Sequence, residues 1–176
     1  RIEARMQAEA LSSLEDIDLP AGESALPHCV TLYDPGWHQG VVGLVASRIR
    51  ERVNRPVIAF ADAGGGELKG SARSVPGVHI RDVLAAVAAS APELIGRYGG
   101  HAMAAGFRLE AAELDAFKEA MRVYGEETLN EERLRPELLI DADVPLGDYD
   151  IETAMAIQSL EPFGEGNPRP VLSFSD

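Results

Sequence analysis

VTLYDPGWHQGVVGLVASRIRERVNRPVIAF, residues 30–60, changes hydrophobic period twice, and those changes decide the fold. Val30-Thr31-Leu32-Tyr33 before Asp34-Pro35-Gly36 reads as a strand ending in a turn. From Gly40 onward Val41, Val42, Val45, Ile49 and Val53 fall at helical spacing, with Arg48, Arg50 and Arg52 off that stripe. Pro56-Val57-Ile58-Ala59-Phe60 is a short apolar run suited to a buried strand. Strand, helix and strand in succession describe one α/β unit.

The same alternation extends outward. Gly64-Gly65-Gly66 joins that strand to Glu67–Arg73, which alternates in polarity, and together they predict a hairpin. A glycine triplet that cradled phosphate would open a helix instead. Ile80, Val83, Leu84 and Val87 mark a helix closed by Pro92. Residues 93–98 read as a short helix with Gly99 as its left-handed cap. Phe107–Leu109 reads as a strand, and Leu114, Phe117, Met121 and Tyr124 trace a further helix. The expected fold class is therefore α/β, a mixed sheet covered by helices, over residues 28–125. Ile2, Met6, Ala10 and Leu14 predict an amphipathic connector helix within a linker region 1–27. Residues 126–176 form a boundary and a second region, with strands at Leu138-Leu139-Ile140 and Val171–Phe174, the latter without a partner after it, and a helix at 151–160.

Composition narrows the function classes. No apolar run approaches the ~18 residues of a membrane span, and Arg1-Ile2-Glu3-Ala4-Arg5 lacks the apolar core of a signal peptide. That charged, helix-favouring opening predicts a piece of something longer. Cys29 is the one cysteine in 176 residues, which excludes an internal disulfide and a cysteine zinc site and points to a reducing compartment. The net charge of −13 argues against a nucleic-acid partner until it is divided. Residues 1–36 hold 2 Lys/Arg against 7 acids, residues 37–108 hold 9 against 5, and residues 109–176 hold 5 against 17. A basic island between acidic flanks fits a local phosphate-binding face, and on charge alone it equally fits acidic helices that happen to lie at the two ends.

Three segments within that island join small residues to anion-binding groups. In Trp37-His38-Gln39-Gly40-Val41-Val42-Gly43 a turn feeds a helix start, where open N–H groups favour a phosphate flanked by His38 and Gln39; Trp37 is expected in the core. In Gly70-Ser71-Ala72-Arg73-Ser74 strand alternation sends Ser71 and Arg73 to one face, a hydroxyl beside a planar fork. Gly99-Gly100-His101-Ala102-Met103-Ala104-Ala105-Gly106 is small enough to let backbone approach a ligand, with His101 able to donate to phosphate or carry a proton. Asp141 and Asp143 share a strand face, but they lie in the acidic tail, away from the basic island, and are not expected to bind metal.

These three segments, in this order, resemble the DHHA1 domain of the DHH phosphoesterase superfamily. The WHQGVVGLVASR run at 37–48 is most similar to its single-strand-specific 5′→3′ DNA exonucleases. LEPFGEGNPRPV at 160–171 resembles the start of their OB-like domain. The resemblance implies a substrate-binding domain: His101 at the reacting phosphate, Ser71 and Arg73 on the terminal or adjacent phosphate, and His38, Gln39, Gly40, Gly99 and Gly100 around them. It implies two manganese or magnesium ions held by Asp and His of a DHH domain, which this sequence does not contain, so the chain alone is expected to bind rather than hydrolyse. The implied partners are single-stranded DNA with a 5′ end, that DHH domain, a single-strand-binding protein and a recombination helicase, in a bacterial cytoplasm and in DNA repair and recombination. A DHH enzyme of short RNA or cyclic dinucleotides, or a non-catalytic nucleic-acid-binding module, are the other readings.

Overall fold

The computed structural model describes residues 26–132, 134–164 and 166–175. The connector helix expected over 2–16 lies outside the described residues. Two units divide the chain, one ending at Arg135 and the other beginning at Pro136.

In the first unit β1 (Val30–Tyr33), α1 (Val42–Val53) and β2 (Val57–Gly64) form the expected βαβ unit, and β1 pairs parallel with β2. Helix α1 stops where the sequence tells it to. Asn54 adopts the left-handed conformation (φ 46°), Arg50 and Arg52 lie in the last turn, and Pro56 follows. The Asn54 side chain donates to Leu134 O at 2.7 Å, tying the end of the unit to this corner. Gly64-Gly65-Gly66 all take positive φ and turn β2 into antiparallel β3 (Glu67–Arg73). Helix α2 (Ile80–Ser90) leads to β4 (Tyr98–Gly100), β5 (Ala104–Glu110) and helix α3 (Leu114–Thr128). The sheet order is β1-β2-β3-β5-β4, with β3 central.

One face of the sheet carries Val30, Val57, Ala59 and Ala61 under α1, together with Trp37, which is buried as expected. The opposite face carries Ile58, Phe60, Leu68, Ala72, Ala105, Phe107 and Leu109 under α2 and α3. Rings of Phe60, Phe107 and Phe117 meet there with centroids 5.2–5.4 Å apart. Each such side chain contributes about 1.5–3 kcal/mol by leaving water. A Cβ at Gly70 would stand 2.7 Å from Phe60 and 2.9 Å from Phe107, so the glycine of the GSARS segment serves this packing. Cys29 is buried in the same core, and burial pushes its thiol up to about 12; it stays protonated and inert at neutral pH.

Two sequence expectations need correction. Residues 93–98 do not form a helix, and Gly99 is not a left-handed cap. Pro92, Gly96 and the Gly99-Gly100 pair disfavour helix, and Tyr98–Gly100 instead pairs with β5, which begins at Ala104 rather than 107. The apolar triplet Leu138-Leu139-Ile140 is not a strand either: it is exposed, and pairing starts only at Ala142.

The second unit pairs β6 (Ala142–Pro145) in parallel with β7 (Leu172–Ser175) and carries α4 (Ile151–Gln158). The final strand thus pairs with the one before it. Asp150 caps α4 by accepting from Thr153 N at 2.8 Å. Asp141 accepts from Val171 N, and Asp143 accepts from Ser173 Oγ, so both carboxylates stitch β6 to β7. Among the described residues no group of three or more His, Cys, Asp or Glu is placed to hold a metal ion. No described helix is long and apolar enough to cross a membrane.

Candidate nucleic-acid interface

Helix α1 packs on β2 and β3, its first turns lying against β3, which brings two of the three small-residue segments into contact. Strand alternation puts Ser71 and Arg73 on the α1 face, as expected. Arg73 Nε donates to Ser47 Oγ at 3.1 Å, and Nη1 donates to Ser71 Oγ at 3.0 Å and to Ala72 O at 2.9 Å. Ser47 Oγ in turn donates to Gly43 O at 3.0 Å. The guanidinium is therefore oriented before any ligand arrives.

Its remaining nitrogen faces the start of α1. A Cβ on Gly43 would lie 2.7 Å from Arg73 Nη2 and 3.1 Å from Ser71 Oγ, so the absence of a side chain leaves room for Nη2 there. Helix α1 has no side-chain cap and no acid in its first turn, leaving the open N–H groups of a helix start beside this cation. Among the described residues Arg73 has no carboxylate partner, whereas Arg48, Arg55 and Arg108 each have one. Burial, and then the neighbouring Arg50, hold the Arg73 guanidinium below its usual range. A cation kept half-buried, oriented and without a counter-ion invites an anion.

The third segment reaches the same face through the sheet. Arg73 pairs with Ala104, and Ser71 pairs with Gly106, which pairs with Gly99. His101 N donates to Ala104 O at 2.8 Å, so His101 stands at the register position opposite Ala104, two strands from Arg73 and exposed. Loop 101–103 is pinned by Ser74 N to Met103 O at 3.0 Å and Ile80 N to Ala102 O at 2.9 Å. Gly99 and Gly100 differ. Gly99 is exposed and open, whereas Gly100 (φ 152°) has Ala104 O and Ala105 Cα within 2.5 Å of where its Cβ would be, so Gly100 closes the β4–β5 hairpin.

The early residues of the first segment stand apart. His38 is exposed, and its Nδ1 accepts from Gly40 N at 3.0 Å. Among the described residues His38, Gln39 and Gly40 make no hydrogen bond to Ser71, Arg73 or His101; they shape the turn one helical turn before Gly43. Sequence reasoning did not assign roles to Ser47 and Gly43. The signal was their i, i+4 spacing on the helix face turned towards β3.

Residues 26–126 match the DHHA1 domain family, and residues 140–176 match the RecJ OB domain. A single-stranded-DNA-specific exonuclease RecJ of Haemophilus influenzae is 41% identical over 96% of this chain and 29% of its own length. The protein of the same name from Salmonella typhimurium is 42% identical over 97% of this chain and 29% of its own. A crystal structure of RecJ from Thermus thermophilus in complex with Mg2+ superposes with a TM-score of 0.71 at 33% identity, covering 95% of this chain and 25% of that one. The chain spans less than a third of the length of these relatives.

Proposed function

This chain belongs to the DHHA1 domain family, and from that premise we propose that it is the single-strand-binding part of a RecJ-type exonuclease working in DNA repair and recombination in the bacterial cytoplasm. The observation that carries the reading is Arg73: an oriented guanidinium with no carboxylate partner among the described residues, its Nη2 turned to the uncapped start of α1. Arg73, Ser71 and the α1 N–H groups take a phosphate, and His101 faces the reacting phosphate. Contacts of this kind confer affinity without reading bases, which suits an enzyme that digests any single strand. The match to the RecJ OB domain supports this reading over an enzyme of short RNA or cyclic dinucleotides.

Bond cleavage belongs to a DHH domain of the longer protein, with two manganese or magnesium ions that activate water and clamp the phosphate. The part of this chain is to bind and orient the strand without cleaving it. That DHH domain, a single-strand-binding protein and a recombination helicase are the partners of the whole.

Fluorescence anisotropy of the chain with a 5′-phosphorylated oligothymidylate should show binding that weakens as salt rises, with a log–log slope of about −0.7 per phosphate contacted. A duplex of equal length should bind less. Salt-indifferent binding would remove the phosphate reading. In the longer enzyme, His101→Ala should lower kcat by about 100-fold while KM changes little; a parental kcat would take His101 out of the reaction zone.

A further inference from the structure

Four residues of β3 share the α1 face: Glu67, Lys69, Ser71 and Arg73. Across β5 they meet Glu110, Arg108, Gly106 and Ala104, and Gly99 of β4 lies beside Gly106. One cross-strand row, Ser71–Gly106–Gly99, therefore presents almost bare backbone, with Arg73 on one side and Lys69 on the other.

The fold does not demand the two glycines of that row. A Cβ at Gly99 would meet nothing within 4 Å, and at Gly106 only the Gly70 carbonyl oxygen at 3.9 Å, an ordinary contact. Neither takes positive φ. A glycine inside a strand costs stability relative to almost any side chain, so what the two glycines provide here is clearance above the sheet.

Beyond the bare row, Arg108 is neutralised by Glu67, whereas Lys69 forms no ion pair among the described residues. The next row is Glu67 opposite Glu110, a pair of acids that ends the cationic surface. Four residue steps of strand separate Arg73 from Lys69, roughly 14 Å along β3. That distance is too long for one phosphate and within reach of an oligonucleotide.

We propose that Lys69 is a second phosphate contact, so that this face holds an extended single strand crossing the open Gly106–Gly99 row from Arg73 to Lys69. The proposal rests on the reading of Arg73 above, and the experiment separates the two. The full chain is titrated with 5′-phosphorylated oligothymidylates of two and of ten nucleotides. Lys69→Gln should weaken the decamer several-fold and reduce its salt slope by about 0.7, leaving the dinucleotide unchanged. Arg73→Gln should weaken both.

A decamer affinity and slope at the parental value in Lys69→Gln overturns the second contact. Parental affinity of Arg73→Gln for both ligands overturns the phosphate site itself. Gly106→Val tests the path independently of Lys69: its thermal midpoint should equal or exceed the parent's while decamer binding is lost, and parental decamer affinity in that folded variant would mean that the strand does not cross the row.

Discussion

Replacing Arg73 by Ala should weaken single-stranded DNA binding about 30-fold while leaving the thermal midpoint within a few degrees of the parent. The affinity loss follows from removing a charge-assisted phosphate contact made by Nη2, about 2 kcal/mol. The fold should tolerate the change because Arg73 is not a folding asset: burial and Arg50 both disfavour its charge, and Ser47 still bonds Gly43 O without it. Arg73→Lys should recover part of the affinity, since a lysine keeps the charge but not the fork. Anisotropy titration and a thermal melt on the same preparations decide the matter. Equal loss of binding and stability would make Arg73 a structural residue, and retained binding would dismantle the interface.

Adjacent glycines should give opposite results. Gly100→Ala should cost about 3 kcal/mol, combining a backbone conformation that L side chains rarely adopt with overpacking against the hairpin backbone; the melting midpoint should fall on the order of 10 °C. Its Cβ would press on Ala104 O and sit 2.5 Å from Ala105 Cα, and backbone cannot step aside as a side chain does. Gly99→Ala meets open space and should melt within a degree or two of the parent, with reduced DNA affinity as its signature. Differential scanning fluorimetry distinguishes the pair, and similar midpoints for both variants would contradict the hairpin geometry.

Most of the α/β order was legible because its signals are periodic. The α1 stripe, the β2–β3 hairpin at Gly64-Gly65-Gly66 and the buried Ile80-Val83-Leu84-Val87 face follow from 3.6- and 2-residue repeats. The β4 strand was not legible: a strand of three residues containing two glycines has no period to read, and only its pairing to β5 defines it. Leu138-Leu139-Ile140 misled for the opposite reason, since an apolar run states a preference for burial but not whether a partner strand is present. Ser71 and Arg73 could be placed on one face by alternation alone, whereas their contact with Ser47 and Gly43 depends on α1 crossing to β3, information that no local window contains. Gly70 was grouped with the anion-binding residues by sequence proximity, but packs against phenylalanine rings on the other side of the sheet.

The position of β3 in the middle of five strands has a dynamic consequence. Ser71 and Arg73 ride on amides hydrogen-bonded to neighbours on both sides, the part of a sheet that opens least often in native-state exchange. A ligand docking there finds its partners already in place, so little ordering entropy is lost on complex formation and the association rate is set by diffusion and charge rather than by a conformational gate. Deuterium uptake along β3 should accordingly be slow in the free chain and hardly slower with DNA, any ligand-dependent protection being confined to loop 101–103 and the turn before α1.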